Sequence, residues 1–479
     1  MKSRFVLALV AASAFGSSLA SAQQQQPAQA AAQRPPGPPA FQGGGRPDIV
    51  YPPGEQGSRN MHIQFHLPSP ASSDIRIDQE LSRPYVYQAH GRPAGFHIVS
   101  VKDPKHASII YSWQIETPEL ITGGASGVML FKHKGRNYAI LSVQFGQQGP
   151  ASDVVGIVFD VTSLPDTSKV REVGRIRDPS HMGGSHEAFT YKHSDGRPIF
   201  FTTVASQARY ANMYDLDKFL AGDPAFGLIG PVGEPDDIQP TFNRFIGYHD
   251  MYVAYDAATH QDKFYGPGWA GYFVYDVSKP EAPKLLATVT GVAGVDLAHT
   301  FMAEPTGRYA LGETETQYQP IRFFDLKPAL DGTVKTISRP IGAWSPNWKN
   351  LVHQFEIRWP YVFMAGYADG VHVVNMMDPT NPYDVGYYDT YDRPTVDSAR
   401  GNSGFPGANS IYVGNFGIDI RNADGLIVAS DMLTGIWGFR MDGFDGWNGR
   451  QWGMPNISSV QDWDNGPDGA PKPARVSVR

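Results

Sequence analysis

Four of the 14 histidines stand in one recurring local setting. They are His186 in Ser185-His186-Glu187-Ala188-Phe189, His249 in Tyr248-His249-Asp250-Met251-Tyr252, His299 in Ala298-His299-Thr300-Phe301, and His353 in Val352-His353-Gln354-Phe355. They precede Asp215, Asp276, Asp325 and Asn375, which share one place in a second recurring phrase, by 29, 27, 26 and 22 residues. Imidazoles at matched positions are the chemistry of metal coordination. An all-nitrogen set without thiolates suits copper or iron better than a structural zinc cage, with zinc still possible. A metal-bound histidine commonly gives its second ring N–H to a carboxylate, and Glu187, Asp250, Asp296 and Glu356 lie near enough in sequence to accept it. Two plainer readings stay open, a polar channel filled with water and hydrogen-bonded packing. The same slot holds Gly127 and Asn415 in two other repeats, so duplication of one ancestral unit does not by itself explain the histidines.

No residue identifies itself as catalytic. The chain has no Gly-Xaa-Ser-Xaa-Gly elbow, phosphate loop or His-Glu-Xaa-Xaa-His motif. Glu313 and Glu315 alternate on a strand-like stretch and could be acid–base groups or simply a polar strand face. Trp269, Trp344 and Trp348 sit in loop-like stretches that could wall a pocket. The loop 442–449 carries oxygen ligands but misses the EF-hand spacing, so a plain loop fits it better.

The elements that must position the histidines are read from the second phrase. Its clearest copies are Gly271-Tyr272-Phe273-Val274-Tyr275-Asp276-Val277-Ser278-Lys279-Pro280 and Gly370-Val371-His372-Val373-Val374-Asn375-Met376-Met377-Asp378-Pro379. Weaker copies occupy 95–104, 156–163, 212–216, 321–326 and 435–441, which aligns Ser100, Asp160, Asp215, Asp276, Asp325, Asn375 and Arg440. The spacings are 60, 55, 61, 49, 50 and 65 residues, too uneven for a thin solenoid and suited to four-stranded blades with variable loops. In each copy an apolar, β-branched run makes a strand, and the Asp or Asn ends it in a turn. A strand precedes most copies, as at 361–365 and 426–430, and another follows, as at 284–289. Asp195-Gly196, Thr306-Gly307 and Asp424-Gly425 are hairpin signals leading to a strand further upstream. Only 216–220 shows a short helical pattern. Seven such units cannot bury their sheets alone, and radial closure leaves only short, protected edges. The expected fold is therefore all-β, a seven-bladed β-propeller over 47–462. The strand at 61–67 is expected to close the ring against the last blade, and the first strand of each blade to line the central channel with a histidine at its opening end.

The repeated phrase resembles that of the LVIVD-repeat family of exported β-propellers, in which a strand runs into Asp-Val-Ser-Xaa-Pro. The resemblance spans roughly residues 85–445 and implies an exported propeller without assigning an activity. The four-histidine arrangement is similar to the iron centre of carotenoid cleavage oxygenases. It is also similar to the histidine-bound copper of selenium-binding proteins and methanethiol oxidases. These likenesses imply a metal-dependent oxidoreductase or oxygenase acting on a small or apolar substrate at the channel mouth. The alternative is a non-catalytic scaffold that binds a protein or polysaccharide partner.

Composition bounds the rest. With 479 residues, 51 glycines, 39 prolines and 12% aromatics, the chain suits many short strands joined by turns. A net charge of −7 leaves no basic footprint for nucleic acid. The absence of cysteine excludes disulfides and thiolate sites. No stretch is long and apolar enough to span a membrane. Lys2 and Arg4, the apolar run 5–15 and Ala20-Ser21-Ala22 make residues 1–22 a secretory signal pattern, which implies a periplasmic or secreted protein. Residues 23–46, rich in Gln, Ala, Pro and Gly, read as a disordered linker, and 463–479 as a flexible tail. Exported protein is expected to begin at Gln23. N-terminal sequencing that returns Met1 would refute export through this segment.

Overall fold

A computed structural model describes residues 56–464, apart from 70, 92–93, 117–123, 146–150, 205–208, 236–246, 270, 317, 347–350, 391–411 and 450–462. The segments read as signal and linker lie outside the described residues, as does the tail beyond Asp464.

The aligned Asp or Asn of the repeat ends a strand because its side chain competes for backbone N–H groups. Asp276 Oδ1 accepts from the Ser278 N–H (2.9 Å), Asp160 Oδ1 from Thr162 (3.1 Å), Asp325 Oδ1 from Lys327 (3.1 Å) and Asn375 Oδ1 from Met377 (2.8 Å). Each side chain thus forms a local turn two residues on, and the ladder stops there. Asp215 does the same to Asp217 and Lys218 and so caps the short helix Leu216–Leu220, as its sequence pattern implies.

The aligned strands are the third of each blade, five of them ended by this turn and the first and last carrying Ser100 and Arg440 instead: Gly95–Ser100, Val154–Asp160, Tyr210–Asp215, Gly271–Asp276, Ile321–Asp325, Val371–Asn375 and Gly435–Met441. The second strand lies before each one, at Tyr361–Ala365 and Ile427–Asp431 for example. Glycines with positive φ turn the preceding hairpins at Gly196 (94°), Gly307 (70°) and Gly425 (69°). The innermost strands are Ser72–Ile77, Gly124–His133, Ala188–Lys192, Tyr252–Asp256, Thr300–Ala303, Gln354–Arg358 and Asn415–Ile420. Among the described residues this makes seven antiparallel four-stranded sheets. The fold is a seven-bladed β-propeller. Aromatic and β-branched side chains such as Phe200, Phe201, Phe264, Tyr272 and Phe323 fill the space between blades and are fully or almost fully buried.

The seventh blade takes its outer strand from the other end of the chain. Met61–Leu67 pairs antiparallel with Gly435–Met441, with Met61 opposite Met441 and Leu67 opposite Ile436. The ring of Phe65 lies on Gly438, where an added Cβ would come within 2.1 Å of it, so only glycine fits. Asn60 Nδ2 also donates to Val385 O (2.8 Å) in the sixth blade. No described helix is long and apolar enough to cross a membrane.

Deleting Met61–Leu67 should therefore lower the melting temperature far more than deleting 23–46, because it strips the closing edge of the ring. Phe65→Ala, at a site 6% exposed, should cost about 3–5 kcal/mol in chemical denaturation. Equal stability of the two truncations would count against closure through this strand.

Candidate metal centre at the channel mouth

Every inner strand runs the same way along the propeller axis, so residues just before these strands gather at one mouth. The four matched histidines stand there, one to three residues ahead of their strands rather than inside them. Their backbones extend the ladders. The N–H of His249 donates to Pro267 O (3.0 Å), that of His299 to Glu313 O (3.0 Å), and that of His353 to Ala365 O (2.9 Å). Each acceptor belongs to the end of the neighbouring second strand, so the rings are held by regular backbone pairing.

The rings form a continuous row across four blades. Centroids are 4.4 Å apart for His186 and His249, 4.0 Å for His249 and His299, and 4.9 Å for His299 and His353. The outer members are oriented by neighbours. His186 Nδ1 pairs with Gln144 Oε1 (2.9 Å), and His353 Nδ1 donates to Phe416 O (2.7 Å) with its ring 3.6 Å from that of Phe416. His299 Nδ1 is held by Glu313 Oε1 (2.5 Å). By contrast, His249 Nδ1 is buried without a hydrogen-bond partner, and His299 Nε2 makes no hydrogen bond but is ion-paired with Glu315 Oε2 at 3.3 Å. Ligand atoms of His249, His299 and Glu315 all lie within 4.8 Å of one another. Two imidazole nitrogens without hydrogen bonds, one of them ion-paired to the neighbouring carboxylate, make a donor set of the kind transition metals take.

Glu315 is itself presented under backbone strain. It adopts φ 43°, and Tyr367, whose hydroxyl donates to Glu315 Oε1 (2.5 Å), adopts φ 46°. Non-glycine residues in this region cost about 1–3 kcal/mol each and persist where the surroundings over-determine them. Tyr367 also stands edge-on to His353, with centroids 5.2 Å apart. Carboxylate, phenol and imidazole are thus locked together across the fifth and sixth blades.

The electrostatics single out one histidine. Burial opposes a charge on His299, but Glu315 and Glu313, with help from Asp250, outweigh it and raise its pKa to about 10. Burial, and then the positive charge of His299, lower His186 to about 4. The same two causes, in the same order, hold His249 and His353 well below the usual imidazole range. Burial raises Glu313 despite the opposing pull of His299. The cluster therefore carries its single positive charge at the ring flanked by two glutamates, where a bound cation would find the same compensation.

The carboxylates expected to serve the histidines divide. Asp250 and Glu187 are buried beside the row and interact electrostatically with His299, but no hydrogen bond joins either to a histidine among the described residues. Asp296 is exposed, on the turn before the fifth blade, and no described hydrogen bond links it to an imidazole. Glu356 lies further down the axis and pairs with Arg358 (3.1 Å). The group that grips a histidine is Glu313, and Glu315 follows in the donor set. Glu313 ends a second strand and Glu315 lies in the loop just after it, where the His299 spacing could not place them. Their i, i+2 alternation was the one sequence signal that singled them out. Trp344 borders a void of about 10 Å³ shared with Glu313 and Glu315, while Trp269 is buried with its backbone N–H on Glu234 (2.7 Å). Trp348 lies outside the described residues. In the other two slots Gly127 donates its N–H to Ser142 (2.8 Å) and Asn415 gives its amide to Ser430 O (2.9 Å), so the row stops at four.

No protein-family model matches the sequence, and no curated protein matches it. Among solved structures the chain is similar to the crystal structure of the WD40 β-propeller domain of Doa1, with a TM-score of 0.50 and 10% identity over 80% of this chain and 97% of that one. At that identity the likeness shows the fold alone.

In metal-free protein, imidazole nitrogen NMR should find His299 doubly protonated at pH 8 and deprotonating near pH 10, with His186 neutral down to about pH 4. The sign for stability follows. His299 contributes fully below its unfolded value of about 6.5, and that contribution fades as pH rises through about 10. His186 works the other way. Its unfolded form takes up protons first, so stability is lost as pH falls from about 6.5 toward 4. A His299 that titrates near pH 6.5 would contradict this charge arrangement.

Proposed function

We propose that this chain is an exported propeller of the LVIVD-repeat kind that holds iron or copper at the histidine mouth and works as a metal-dependent oxidoreductase or oxygenase on a small or apolar substrate. One observation carries the proposal. His249 Nδ1 is buried without a hydrogen-bond partner beside His299 Nε2, which makes no hydrogen bond and only an ion pair with Glu315 (3.3 Å), and His186 and His353 flank them. Two histidines and one carboxylate with room for further ligands are the donor set of non-haem iron oxygenases, and the added imidazoles also suit copper. The lack of cysteine and the single carboxylate speak against a closed zinc cage. Such a metal would supply redox chemistry. The protein's own part is to orient His299 through Glu313, His353 through the Phe416 carbonyl and His186 through Gln144, and to hold Glu315 in place through Tyr367. The signal-like N-terminus supports export, and the Asp-Val-Ser-Xaa-Pro phrase supports the family likeness.

Metal analysis of protein purified without a histidine tag, after reconstitution with iron, copper or zinc, tests this. Ala at His186, His249, His299 or His353 should strongly lower bound metal while the β fold survives, because the blades bury their cores without an axial ion. Glu313→Gln should weaken binding about 10–100-fold, as expected for a residue that orients a ligand. Ala at His106, His193 or His260, outside the cluster, should leave metal content unchanged. Wild-type protein with no stoichiometric metal after all three reconstitutions would sink the proposal.

A further inference from the structure

The opposite end of the axis, where the inner strands finish, opens into a cavity of about 410 Å³. We propose that this cavity is a binding site for a neutral saccharide about the size of a disaccharide, separate from the histidine mouth and independent of any metal there. Its volume falls in the range of small-molecule sites.

Charge is the first argument. The acids that line the cavity already have partners: Asp78 with Arg83 (2.8 Å), Glu80 and Asp464 with Lys132 (2.9 and 2.5 Å), and Asp419 with Arg358 (3.2 Å). A charged ligand would therefore enter without a free counter-charge, whereas a neutral one disturbs no pair.

Polar groups left over on the wall are the second argument. Arg76 is 8% exposed, and its guanidinium uses Nη1 on Asp74 and Ile75 O and Nε on Met129. Among the described residues its Nη2 makes no hydrogen bond, although it belongs to a buried cation on the cavity floor. The side-chain amide of Asn137 is likewise without a described hydrogen bond. A hydrocarbon ligand would bury these donors unsatisfied, at about 1–3 kcal/mol each. Hydroxyl groups, which both donate and accept, satisfy the guanidinium, the amide and the paired carboxylates together.

The third argument is the shape of the apolar wall. Trp447 and Trp463 are half-buried at the cavity, and Phe131, stacked on Tyr138 with centroids 4.7 Å apart, is buried beside them. Flat aromatic faces set among separate donors and acceptors match a ring with an apolar face and a polar rim. Trp447 comes from the oxygen-rich loop 442–449, which needs no metal to explain its place here. Its Nε1 donates to Trp359 O (2.8 Å), so that loop is tied to the sixth blade.

Cellobiose, maltose, xylobiose and chitobiose titrated into full-length protein, followed by calorimetry and tryptophan fluorescence, test the proposal. At least one should bind saturably, with the same affinity in metal-loaded and metal-stripped protein. Asn137→Ala and Trp463→Ala should each weaken it about tenfold, with melting temperatures confirming that both variants fold, while His106→Ala should not change it. The proposal is overturned if none of the four binds at millimolar concentration, or if binding survives both cavity substitutions. Binding that depends on loaded metal would equally overturn it by moving the sugar to the histidine mouth, and failure of metal loading leaves this outcome unaffected.

Discussion

Closure of the ring by one N-terminal strand is the interaction on which the histidine row depends. Four imidazoles from four blades meet within contact distance only if the blades share an axis, and an axis exists only once the seventh blade is completed. That blade has three strands of its own and borrows Met61–Leu67 from the far end of the sequence. The first and last blades are then joined directly at the axis, where the Ile77 N–H donates to Asp419 Oδ2 (2.9 Å) and Ser430 Oγ donates to Ser73 O. Local turns can form each blade early, but the mouth is assembled by a contact of very large sequence separation, whose closure entropy must be overcome first.

Below the histidines the axis is packed with charge rather than with apolar side chains. Arg358 is fully buried, yet each of its nitrogens is used: Nη1 on Glu356 and Ile357 O, Nη2 on Asp419 and Ile420 O, and Nε on Asn422. Arg76 and Asp74 form a second pair (2.9 Å) from the first blade. Buried ion pairs are poor evidence of stability, because desolvation offsets much of the attraction. Their physical effect here is geometric. A guanidinium satisfied from three neighbouring directions fixes how the sixth and seventh blades meet, and removing one partner would leave a stranded charge. The same polar axis separates the histidine mouth from the cavity at the other end, so one molecule presents two chemically distinct ends.

What could be read from the sequence was what repeats. The Asp or Asn that ends five of the third strands acts through its own neighbours two residues on, so local text marked those blades, the strand pattern alone found the first and last, and Tyr361–Ala365 was placed to the residue. The histidine slot was legible for the same reason, since equal offsets within equal units converge at one ring. Glu313 as the group gripping His299 was not. It reaches across a β-ladder from the next strand, a relation that depends on register and on one hydrogen bond. Proximity in sequence instead nominated Asp296, which points to solvent, and Glu356, which belongs to Arg358. Gln144 and Phe416 come from neighbouring blades and carry no local mark at all. The far cavity was still less visible, because its wall combines the ends of several strands with two tryptophans from beyond the last blade.

Departures from the repeat are therefore where chemistry concentrates. Seven similar blades could have offered seven equivalent slots, but only four hold histidine. The flanking slots hold residues that bond inward to their own blade, Gly127 to Ser142 and Asn415 to Ser430. The strained backbones of Glu315 and Tyr367 lie in the loops after the second strands of blades five and six, next to the two histidines at that end of the row. A repeat scaffold can bear such strain because its stability is spread over many similar interfaces, and Tyr367 is further held by paired backbone hydrogen bonds with Asn415 of the seventh blade (2.9 Å each). The donor set is thus asymmetric on a nearly symmetric ring, with two glutamates gathered at His299 and none hydrogen-bonded to the other three imidazoles among the described residues. That asymmetry confines the cluster's positive charge to one ring.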